Sequence, residues 1–254
     1  MERGSRLRGG RPSRRARPSC HPNMISSFCV YCGAPATTRD HVPPKCLLEK
    51  PYPTDLPTVP SCKKCNSSFS LDEQYFLILL AATTEANPAI LRKVAKGGVI
   101  ERTLERSPRL DERLLASLNT DNDGRIIVLP EFQRVNRILQ KIGLGCFVLK
   151  YGHAPKLQEL LPVTYPHARA EEQLPELAFM ERLRSKRWSH VQRGVFSYII
   201  IRGPWTSRGL CCVMDFYEAV WGIVLLSNEN RFRRSKVATP IVKERNLPCE
   251  RQMR

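Results

Sequence analysis

Two Cys-x2-Cys pairs, Cys29 with Cys32 and Cys62 with Cys65, are the residues of this chain best spaced to do chemistry. Each pair is tight enough to chelate, and four thiolates at about 2.3 Å around one ion make a closed tetrahedral zinc site with a structural role. The stretch between the pairs is longer than in a simple zinc ribbon, so it must carry a hairpin or loop. The competing reading is four unrelated buried cysteines, and two independent pairs flanking a proline-rich loop speak against it. Cys20, Cys46, Cys146, Cys211, Cys212 and Cys249 lack this spacing and read as packing residues.

Inside the loop stands Asp40-His41-Val42-Pro43-Pro44, and Asn66 directly follows the fourth cysteine. Asp40 and the Asn66 amide oxygen are hard donors suited to Mg²⁺ or Mn²⁺. His41 titrates near neutrality and suits the task of taking a proton from water. On a regular strand Asp40 and His41 point to opposite faces, so a shared centre needs a strand end where the backbone turns. Lys45, Lys63 and Lys64 lie close in sequence and are candidates for binding flanking phosphates; a solvated surface is their plain alternative.

The order C-x2-C, Asp-His, C-x2-C-Asn resembles the zinc-bearing branch of the HNH, or ββα-metal, endonucleases. The resemblance covers roughly residues 29–75. It implies that His41 is the general base, that Asp40 and Asn66 hold one divalent ion, and that Cys29, Cys32, Cys62 and Cys65 bind zinc. Metal-assisted phosphodiester hydrolysis is the reaction such parts serve. The chain departs from the pattern at the middle Asn, because no Asn lies between His41 and Cys62. Asp55 and Thr58 are the nearest polar residues for orienting the histidine.

The elements that must position these groups are short at first. Pro43, Pro44, Pro51, Pro53, Pro57 and Pro60 allow only brief strands and loops up to Asn66. Ser70-Leu71-Asp72-Glu73 reads as a capping box that opens a helix running through Tyr75 and Leu80. Asn87-Pro88 opens another, stopping at Gly97-Gly98, and Ser107-Pro108 a third. Asn119, Asp121, Asp123 and Gly124 echo a calcium loop, but Pro130 stands where a bidentate Glu is required, so a turn is expected. A strand at 125–128 and a helix at about 131–142 follow. Residues 195–201 and 211–226 read as two or three antiparallel strands separated by Gly203-Pro204-Trp205.

The expected fold class is therefore α+β: a small zinc-stapled ββα-metal module, then helices, then a C-terminal α+β domain with antiparallel strands. The boundaries read as a basic N-terminal arm at 1–23, the module at 24–86, a helical connector at 87–124, the C-terminal domain at 125–228 and a basic tail at 229–254. Trp205, Phe216, Tyr217 and Trp221 fall in the strand-rich part, where aromatics more often build a core than stack on bases.

The net charge of +17 suggests an acidic polymer as partner, DNA first and RNA as the other candidate. Much of that excess sits in the two terminal segments, which weakens charge as an argument on its own. No stretch of about 20 apolar residues is present, so no membrane partner is expected. Ten cysteines could suggest a secreted disulfide scaffold, but the Arg-rich start lacks the apolar segment of a signal peptide, so a reducing, cytoplasmic setting is expected. Two further readings compete with the nuclease. One is a non-catalytic zinc-stapled module that binds nucleic acid or protein. In the other, the C-terminal domain is the functional part and the zinc knuckle a folding staple.

Overall fold

The computed structural model describes residues 28–83, 87–120, 126–153, 160–166, 185–202 and 210–226, together with 155 and 183. The arrangement is α+β, with helices packed against antiparallel sheet. A two-stranded hairpin, β1 (Thr38–His41) and β2 (Thr58–Ser61), is followed at once by α1 (Lys63–Ser68) and α2 (Ser70–Thr83). Three short helices come next, α3 (Pro88–Val94), α4 (Val99–Arg106) and α5 (Pro108–Ala116), then a small hairpin of β3 (Leu118–Thr120) and β4 (Ile126–Val128). The long helix α6 (Phe132–Tyr151) leads to β5 (Leu160–Pro166), β6 (Ser189–Gln192), β7 (Phe196–Arg202), β8 (Leu210–Phe216) and β9 (Val220–Leu226). These last five form one antiparallel sheet in the order β5-β9-β8-β7-β6.

The start signals at Asn87-Pro88 and Ser107-Pro108 mark α3 and α5. Asn87 caps α3, its side-chain oxygen accepting from the Ala89 amide at 2.9 Å. That helix ends at Val94, short of Gly97-Gly98, and Gly98 caps α4 instead. The expected capping box at Ser70 does not form. Helix α1 runs nearly into α2, so the Glu73 amide bonds to the Phe69 carbonyl, and the Glu73 side chain is directed to Lys141.

Helix α6 outruns the expected end at 142 because Gly143 and Gly145 are packing residues and not stop signals. A Cβ on Gly143 would lie 3.0 Å from Val224 on β9, and one on Gly145 would lie 2.5 Å from Val42, just past β1. Glycine lets the helix backbone close on both at once. One apolar cluster therefore runs from Cys29 and Tyr31 through Phe76, Ile138 and Phe147 to Phe216 and Leu226. Phe216, Tyr217 and Trp221 are buried within the sheet region, as core aromatics; Trp205 and the Asp121–Gly124 turn lie outside the described residues. No helix among the described residues is long and apolar enough to cross a membrane.

Candidate functional site

The four cysteines of the two pairs converge. Cys29 opens a tight turn in which the Gly33 amide bonds to the Cys29 carbonyl, with Gly33 at a φ of 74°. Cys62 ends β2 and caps α1, its sulfur accepting from the Cys65 amide at 3.4 Å. Thiol sulfurs of Cys29, Cys32, Cys62 and Cys65 all lie within 4.8 Å of one another, and Cys32 Sγ is 3.7 Å from Cys62 Sγ. Ligands at tetrahedral zinc distance are separated by about 3.8 Å, so the donor set and spacing fit a structural zinc ion. All eight cysteines of the described residues are free thiols.

Electrostatics in the cluster point the same way. The Cys65 thiol donates to Cys29 and holds Cys29 down to about 4, while Cys65 itself is pushed up by that same contact and by burial. Crowded thiols cannot all ionise together without a cation between them, and a bound divalent ion is what would let them.

Around this staple, β1 sorts the next residues by face. Its burial alternates, with Arg39 exposed, Asp40 at 4 % exposure and His41 half-buried. Arg39 and His41 thus share the outward face, while Asp40 points into the protein. His41 is paired across the hairpin with Thr58, but the Thr58 hydroxyl accepts from Arg39 Nε at 2.6 Å. Asp55 is exposed in a turn, so neither polar candidate orients the histidine, whose ring makes no hydrogen bond among the described residues. Partial burial, then the nearby Lys45 ammonium, lowers the His41 pKa and favours the neutral imidazole.

Asp40 is fully engaged. Its Oδ2 accepts from the Tyr31 hydroxyl at 2.8 Å, and the Lys141 ammonium lies 3.1 Å from Oδ1 and 3.0 Å from Oδ2. Lys141 is 1 % exposed and also bonds to Glu73. Burial raises the Glu73 pKa, with Lys141 opposing that shift. Asn66, in α1, turns its amide nitrogen to Thr38 Oγ1 at 3.2 Å and to the Arg39 carbonyl at 3.4 Å.

The expected seat of Mg²⁺ or Mn²⁺ at Asp40 and Asn66 does not fit this arrangement. Such an ion needs open oxygens and room for several waters. Here both oxygens of Asp40 are bonded within the protein, and Asn66 presents its nitrogen to β1. Asp40 is paired with Lys141 instead.

Of the phosphate-binding candidates, Lys45 is exposed, its ammonium 5.5 Å from the Tyr52 ring centroid, and Lys63 and Lys64 are exposed on the first turn of α1. Sequence reasoning missed Arg39, Tyr31, Glu73 and Lys141. Arg39 was legible as the residue two before His41, hence on its face if the segment is a strand.

No protein-family model, curated protein or solved structure matches this chain.

Proposed function

We propose that this chain is a zinc-stapled hydrolase of phosphodiester bonds, an HNH-type endonuclease acting on DNA, with His41 as general base. The observation that carries the reading is the placement of His41. Its ring sits on the outward face at the end of β1, beside cationic Arg39 and Lys45 and next to a hairpin and helix on which four thiols converge.

The chemistry follows from those groups. A neutral imidazole takes a proton from the water as that water attacks phosphorus, worth about 10²–10⁴ in rate for a well-placed base, while the P–O bond to the leaving sugar oxygen breaks and that oxygen takes a proton from solvent. Arg39, Lys45, Lys63 and Lys64 attract and orient the polyanion. Zinc on the cysteines keeps the hairpin and α1 in register and takes no part in the reaction.

One observation favours a second reading. Asp40 is committed to Tyr31 and Lys141, and a module that only binds nucleic acid has no use for an open carboxylate there. Supercoiled plasmid incubated with zinc-loaded protein, with and without Mg²⁺ or Mn²⁺, separates the two. Nicking that disappears in His41→Ala at unchanged zinc content supports the hydrolase; binding of DNA with no cleavage of any nucleic acid transfers the function to the binding module.

A further inference from the structure

Lys141 belongs to a row of cations on one side of α6. Arg134 and Arg137 reach Asp72 on α2, and Lys141, one turn on, reaches both Glu73 and Asp40. Arg137 and Lys141 also lie over the Phe69 ring, at 4.7 and 5.0 Å from its centroid. The row locks α6 to α2, and the contact of Gly145 with Val42 sets how deeply the helix sits.

The surroundings of Asp40 are buried and filled. Tyr31 packs on Phe69 with ring centroids 5.1 Å apart while its hydroxyl donates to Asp40. Lys141 approaches from α6, and Glu73 completes the group from α2. An ammonium with two carboxylate partners in so little water is held far more firmly than a surface lysine. Mg²⁺ gives up its waters reluctantly and would have to displace that ammonium while its own hydration shell finds no space.

We propose that Lys141 is the resident cation of Asp40. It takes on this chain the place that the C-x2-C, Asp-His, C-x2-C-Asn layout gives to a divalent ion, so the wild-type protein holds no second metal there. Asp40 then serves to position β1 and the neighbouring His41 through a tethered charge. The inference rests on the nuclease reading only for where an ion is expected.

The test is Mn²⁺ titration of the zinc-loaded full chain, with free Mn²⁺ read by electron paramagnetic resonance. Zinc content and circular dichroism are matched across wild type, Asp40→Asn, Lys141→Ala, which removes the ammonium and frees its volume, and the double variant. Wild type is expected to show no Mn²⁺ site that Asp40→Asn removes. Lys141→Ala is expected to gain one that the double variant loses. An Asp40-dependent Mn²⁺ site in wild type overturns the proposal, as does a folded Lys141→Ala that binds Mn²⁺ no better than wild type. Should Lys141→Ala not fold, wild type against Asp40→Asn decides. Because Mn²⁺ binding is read without turnover, a protein that binds none at Asp40 and cuts nothing loses the nuclease reading and keeps this one.

Discussion

The Lys141 ammonium lies 3.0 Å from the carboxylate of Asp40, a residue 101 positions earlier in the chain, and both side chains are shut away from solvent. This pair joins the long helix α6 to the strand that ends in His41. It ties the cysteine-bearing segment to the helix that packs against the sheet.

Removing one member of such a pair leaves the other buried without a partner. Lys141→Met is expected to destabilise the protein by about 3–5 kcal/mol. Adding Asp40→Asn should recover part of that loss, because the stranded charge is gone. Urea unfolding of the two single variants and the double variant measures the coupling; additive losses would mean the two side chains do not interact.

Zinc is expected to bind one ion per chain through Cys29, Cys32, Cys62 and Cys65. Cys62→Ser removes a ligand and also the sulfur that accepts from the Cys65 amide, so zinc should be lost and the β1–β2 hairpin should exchange its amides quickly. Elemental analysis with hydrogen exchange checks this. Cys146→Ser, whose sulfur lies in the core away from the cluster, should leave zinc content unchanged.

Gly145→Ala places a methyl 2.5 Å from Val42. The helix must move off the end of β1, at a cost of about 1–3 kcal/mol. Val42→Ala should restore most of the stability in the double variant, and thermal unfolding of the series reports it. Equal stability of Gly145→Ala and wild type would mean α6 does not pack this closely.

The lowered pKa of His41 fixes a sign for pH. Burial and Lys45 disfavour the charged imidazolium, so the base form is complete above a pKa that lies below the ordinary histidine value. Cleavage should be lost as pH falls through that folded pKa and should be flat above it. The same shift makes a small contribution to stability that is present above the unfolded histidine pKa and declines as pH drops. Single-turnover rates across the acidic and neutral range give the curve, and Lys45→Ala should move its midpoint upward.

Much of the fold could be read from local rules. Chelating pairs announce themselves by spacing, Asn87-Pro88 and Ser107-Pro108 by a proline in the first helical turn, and β7, β8 and β9 by β-branched runs, whereas β5 and β6 were not read. What escaped was set by contacts distant in sequence. The helix expected at about 131–142 runs on because Gly143 and Gly145 let it close on Val224 and Val42. Glu73 looks like a capping residue until Lys141 is seen to hold it. Lys141 did leave one trace: it stands on the same stripe of α6 as Ile138 and Leu144, both fully buried, and a lone lysine among such neighbours needs a buried acidic partner. Asp40 was expected to face the His41 centre, but strand alternation turned it inward to that lysine.

If His41 is the base of a hydrolase, plasmid nicking by matched wild-type and His41→Ala proteins shows it. With zinc content and fold equal, nicking by His41→Ala is expected to fall by about a hundredfold or more. Equal nicking by the two proteins, or none by wild type on duplex, single-stranded or branched DNA or on RNA, would contradict it.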